Sequence, residues 1–200
     1  MAGISTSAGR FTPNETNRTR PSLKLHRILI AGAACLALVP VGRACIEELD
    51  LAKMVAKTDA AVRGTITDVR TVRYTPPGDD RLIFTVLTVE GTDLYTGQAR
   101  TIEAAFLGGV HQGDSMMVTS MPAPSEYRLG NQVLLFSAPV EGWGPEVDRC
   151  VYAAMGGIFR EVSSKQGAVV LGKGEGFAVE RNVRLADLQT AIAKEAGAKR

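Results

Sequence analysis

His111, Met116, Met117 and Met121 crowd one short stretch of the chain. Soft thioether sulfur beside an imidazole is a ligand set that suits Cu(I) in an oxidising compartment. On an extended strand Met116 and Met117 point to opposite faces, so a regular strand offers only one of them. The set that could close a metal site is therefore His111, Met116 and Met121. The same side chains have a plainer use, since methionine fills irregular apolar gaps. Met116, Met121 and Pro122, followed by Pro124 in what reads as an irregular segment, could also present apolar surface to a partner, or fold over the open end of a barrel.

Other chemistries are poorly represented. His26 and His111 are the only histidines, so HExxH and other multi-histidine zinc sites are ruled out. No G-x-S-x-G elbow accompanies His111, and no P-loop or strand-linked G-x-G-x-x-G occurs. Gly172-Lys173-Gly174-Glu175-Gly176 reads as a hairpin turn. The carboxylate pair Asp79 and Asp80 sits in a Pro-Gly turn, where solvation is the ordinary outcome. The residues therefore point to a non-enzymatic protein that needs no cofactor.

The compartment follows from the first 44 residues. Met1–Pro21 is polar and aperiodic, a composition that favours disorder. Lys24, His26 and Arg27 then precede the apolar run Ile28–Val41, which is short of the roughly 20 residues that span a bilayer. Pro40 breaks that run, and Gly42 and Ala44 supply the small residues of a secretory cleavage site before Cys45. An uncleaved anchor is the alternative. An acylated Cys45 would want a large aliphatic residue and small ones before it, and Gly42-Arg43-Ala44 fits that badly. Residues 1–44 are thus expected to be a disordered start plus signal peptide, and 45–200 one secreted or periplasmic domain.

Removal of the leader changes the charge. Six of the 23 basic residues and one of the 21 acidic ones lie in 1–44, so the mature chain would carry about −3 rather than +2. Nucleic-acid binding, which wants a basic stripe on the folded domain, is not indicated. Cys35 would leave with the leader. Cys45 and Cys150 remain as an even pair in an oxidising compartment, and a structural disulfide between them is expected. Closing so long a loop would contribute on the order of 4 kcal/mol.

The elements that would hold these residues alternate in strand fashion. Ile46–Lys57 has helical spacing with acids in its first turn. Ala61–Arg73, Arg81–Leu94 and Arg100–Leu107 read as long strands, the last two as a hairpin through Tyr95-Thr96-Gly97-Gln98. Gly108–Gly113 reads as a flexible loop, Ser115–Thr119 as a short strand and Gln132–Ala138 as a buried one. Cys150–Arg160 reads as strand interrupted by Gly156-Gly157, and Ala168–Leu171 with Gly176–Glu180 as a final hairpin. Leu185–Ala196 is a helix, with Gly197 as its stop. Short strands with a helix at each end predict a mainly β fold, an OB-like barrel rather than an immunoglobulin-like sandwich.

Asp59–Val69, Phe84–Val89, Leu107-Gly108-Gly109 and Tyr127–Phe136 occur in an order that resembles a recurring kind of exported bacterial protein of unassigned function. More distantly the layout resembles the netrin-like modules, which include the tissue inhibitors of metalloproteinases. That resemblance implies an OB barrel and a cysteine exposed by cleavage whose amino group and carbonyl can chelate a protease zinc. Cys45 alone matches, because Cys45-Ile46-Glu47 stands where those inhibitors have Cys-x-Cys. The expectation is an exported binding module, protease-inhibitor-like or a protein-interaction domain for an exported protease or envelope protein. A periplasmic copper binder and a structural envelope domain are the alternatives. Contact with a membrane would come only through the signal peptide or a lipid anchor.

Overall fold

The computed structural model describes residues 49–77, 81–165 and 167–198, all within the compact unit Cys45–Arg200. In chain order its elements are helix α1 (Leu51–Lys57) and strands β1 (Ala60–Tyr74), β2 (Leu82–Asp93), β3 (Ala99–Leu107), β4 (Gly109–His111) and β5 (Asp114–Met116). Then come β6 (Gln132–Pro139), β7 (Arg149–Val151), β8 (Ile158–Ser164), β9 (Gly167–Val170), β10 (Val183–Arg184) and helix α2 (Leu185–Ala198).

Strand β1 is rich in Val, Thr and Ile, which suit a pleated surface covered on both sides. It pairs with β2 over Val62–Tyr74 and, along its other edge, with β6 over Ala60–Thr65. Curling the sheet so that β1 meets β6 as well as β2 requires a bend. A bulge between Ile66 and Asp68 supplies part of it. Gly64 opposite Gly91 supplies the rest: a Cβ on Gly64 would lie 2.1 Å from the Glu90 carbonyl oxygen, and one on Gly91 1.9 Å from that of Arg63. Only glycine allows backbones so close.

Antiparallel β3 follows β2, and β7 lies between β3 and β6, parallel to β3 at Ala105–Cys150 and antiparallel to β6. The circuit β1-β2-β3-β7-β6-β1 closes a five-strand barrel with a helix near each end, the OB-like architecture expected. A sheet closed on itself leaves no place for the two stacked sheets of a sandwich. Strands β8, β9 and β10 continue outward from β6.

Three apolar clusters result. The barrel interior holds Ile66, Leu87, Val89, Ile102, Phe106, Val133 and Leu135. On one outer face, α1 and α2 cover Phe136, Phe159 and Val170 with Met54, Val55, Leu188 and Ile192. On another, the loop after β6 covers Val72, Phe84 and Val86, with Trp143 stacked on Phe84 at 4.7 Å between ring centroids.

Several boundaries differ from the sequence reading, each for a local reason. The first helix begins at Leu51, because the Asp50 carboxylate accepts from the Lys53 amide at 2.6 Å and caps it there. Gly108–Gly113 is not a loose loop: Gly109–His111 is a strand paired with Asp114–Met116. Gln112 and Gly113 both have positive φ, 50° and 90°, the signature of the tight hairpin turn whose twist matches paired strands. Residues 176–180 form no strand, so β9 pairs with β8 and β10 instead. Helix α2 runs through Gly197 to Ala198. Among the described residues Cys150 is a free, half-buried thiol whose pKa burial pushes up; its expected partner Cys45 lies outside them. Its strand is flanked by β6 and β3, where its register partners are Ala138 and Ala105. Cys45, Asp79 and Asp80 lie outside the described residues, as do the signal-peptide features of 1–44.

Candidate functional site at the barrel mouth

Val69 and Thr71 of β1 and Thr85 of β2 line one end of the barrel, where the chain folds a hairpin over the opening. At the end of β3 the backbone turns through Gly108 and Gly109, with φ 107° and 138°. A Cβ at Gly109 would sit 2.5 Å from Thr85 Oγ1. That approach lets Thr85 Oγ1 donate to the Gly108 carbonyl at 2.7 Å. Thr71 Oγ1 donates to the Val110 carbonyl at 3.0 Å, and His111 Nδ1 lies 3.0 Å from the Thr71 carbonyl. A carbonyl can only accept, so the ring carries its proton on Nδ1. Arg73 adds an ion pair to Asp114 and a longer contact, 3.4 Å, to the His111 carbonyl.

The return segment is also tied down. The Asn131 side-chain amide donates to the carbonyls of Ser125 and Glu126, each at 3.0 Å. Glu126 accepts from the Ala123 amide at 2.9 Å and pairs with Lys173. The Met155 amide reaches the Ser120 carbonyl at 2.9 Å. Met121 and Tyr127 pack against the barrel interior, and Tyr127 meets Phe106 edge-on at 5.0 Å. Burial raises the Tyr127 hydroxyl pKa.

Between hairpin and return segment lies an open groove of about 360 Å³, walled by Val69, Val110, Met116, Met117, Met121, Pro124 and Tyr127. Val110 is 64% and Met117 88% exposed at its rim. Beyond β5 a second hollow of about 350 Å³ is lined by Arg73, Arg81, Ile83, Asp114, Ser115 and Met116. Ser115 and Met116 belong to both, so the two form one surface divided by β5.

Met116 and Met121 thus share a wall, as their proximity in sequence suggests. Pro122 is buried, and Pro124 lines the groove in its stead. His111 does not line it and commits Nδ1 to β1. No cluster of three or more His, Cys, Asp or Glu side chains that could hold a metal ion occurs among the described residues. Sequence reasoning did not find Val69, Val110, Ser115, Tyr127, Arg73 or Arg81. The pair Gln112-Gly113 was the available signal, because glycine there admits the positive φ of a tight hairpin turn, which sets which residues face outward.

Comparison with protein-family models, with curated proteins and with solved structures finds no match to this chain.

Proposed function

We propose that this protein is an exported, non-enzymatic binding module that docks a protein partner, an exported protease or another envelope protein, at the barrel mouth. The observation carrying this reading is the methionine-walled groove with Val110 and Met117 exposed at its rim. Barrel mouths are common ligand sites, and large apolar side chains left exposed together favour an interaction surface. Methionine adapts to a partner's shape without a single fixed packing. The leader read from Lys24 to Ala44 supports the compartment. The distant netrin-like resemblance is compatible with the five-strand closure, but the docking reading does not call on the Cys45 amino group that defines the inhibitors' wedge.

A photoreactive amino acid placed at Met117 in the producing cell tests the reading. Crosslinking to a second protein is expected, with none from the same group at Thr190 on α2. Crosslinks to lipid alone, or to nothing, would overturn it.

A further inference from the structure

We infer that the outer edge of β5 receives an extended segment of the partner as an added strand, its apolar side chains entering the groove and an acidic side chain or terminal carboxylate meeting Arg73 and Arg81. This rests on the proposed docking role and names the chemistry of what docks.

Hydrogen-bond geometry carries the first part. Residues 112 and 113 form a two-residue turn, so the flanking His111 and Asp114 exchange hydrogen bonds with each other. The next pair, Val110 and Ser115, must then point its amide and carbonyl groups outward. Val110 obeys this, since its carbonyl accepts from Thr71 on the side away from β5. Ser115 points the opposite way. There β5 has no hydrogen-bonded strand beside it among the described residues, as β4 and β5 form a two-stranded sheet of their own, and Ser115 is exposed. A strand edge of this kind pairs with an incoming extended chain.

The second part comes from what lies on either side of that edge. A strand laid along Ser115 sends alternate side chains to opposite faces, and apolar ones would reach the wall formed by Met116, Met117 and Met121. On the other side, among the described residues, two guanidiniums and one carboxylate line the second hollow. Arg73 holds Asp114, and Arg81, which lines the same hollow, makes no ion pair among the described residues. That excess of positive charge selects an anionic group, and guanidinium matches a carboxylate in geometry as well as charge.

The test uses fluorescent octapeptides of alternating leucine and threonine, titrated against the full exported chain by anisotropy. One ends in two aspartates, one in two lysines, and one is the aspartate peptide N-methylated on alternate backbone nitrogens. The aspartate peptide is expected to bind, with the other two at least tenfold weaker. Arg81→Glu should reverse the preference to the lysine peptide. Ser115→Pro, which removes an outward amide that an edge can spare, should weaken binding tenfold. If that variant misfolds, the N-methylated peptide reads the same hydrogen bonds. Equal affinity for all three peptides overturns the inference, and so does binding of phosphatidylglycerol vesicles in place of peptide. Failure of the peptides alongside a protein crosslink from Met117 overturns the inference and leaves the docking role standing.

Discussion

Under the helices, Met54, Phe136, Phe159 and Ile192 are fully sealed, whereas at the barrel mouth Val110 and Met117 stay 64% and 88% exposed. Both regions are covered by a separate piece of chain, and the difference lies in what holds the cover. Helix α2 brings an apolar stripe, Leu185, Leu188 and Ile192, onto the sheet, and α1 adds Met54 and Val55. Those contacts bury side chains, and burial is where most helical stability in proteins originates. The β4–β5 hairpin has three residues per strand and is held chiefly by hydrogen bonds from Thr71 and Thr85 and by the Arg73–Asp114 pair. Such pins orient a cover but exclude little water. A sealed cover stabilises, and a pinned one leaves apolar surface available.

That contrast can be broken most sharply at the sealed face. Phe136→Ala should cost about 3–5 kcal/mol in urea unfolding, as expected where an aromatic side chain leaves a cavity. A smaller loss would mean that the helices settle into the space. Next comes the bend that the barrel needs. Gly64→Ala should cost about 2–3 kcal/mol, since its methyl group would overlap the Glu90 backbone, and circular dichroism should report the lost closure.

The next effect lies at the edge of the helix-covered face. Thr58 Oγ1 donates to the Met54 carbonyl at 2.6 Å, so the Tyr95 hydroxyl, also 2.6 Å away, donates to Thr58. Burial pushes the Tyr95 pKa up to about 12. In the unfolded chain a tyrosine ionises near its ordinary value of about 10. The folded state therefore retains a proton that the unfolded state loses, and stability falls as pH rises from about 10 to about 12. Tyr95→Phe should cost about 1 kcal/mol at neutral pH and flatten that decline; an unchanged alkaline slope would assign it elsewhere. The smallest effect is expected at the mouth. Met117→Ser should change stability by less than about 0.5 kcal/mol while abolishing partner crosslinking through a probe at Val110. A large loss of stability would show the mouth to be core after all.

The sequence made the strands legible because β1, β2 and β6 alternate and are covered on both faces, as with Phe84 facing Trp143 and Leu87 facing the interior. The closure was less legible. The meeting of Val62 with Leu135 joins residues far apart in the chain, and neither side chain differs from any buried strand residue. Thr71 and Thr85 are hidden in the same way: inside a strand they read as β-formers, and only the fold makes them hairpin anchors. Met116 and Met121 were found because methionine clusters are rare. Their neighbours Val69, from β1, and Tyr127, a few residues further along the return segment, carry no such mark. Arg81 became informative only when the topology set it beside Arg73.

The join between β3 and β7 rests on one registered pair, Ala105 with Cys150, whereas β1 and β2 run side by side along most of their length. The barrel therefore has a clasp and a spine of very unequal strength. When the clasp lets go, the sheet can uncurl without losing the β1–β2–β3 meander, an excursion far short of global unfolding. Cys150 sits on that clasp with a thiol whose pKa burial raises. Its rate of alkylation becomes a clock for the lapse, counting how often the ring becomes an open ribbon.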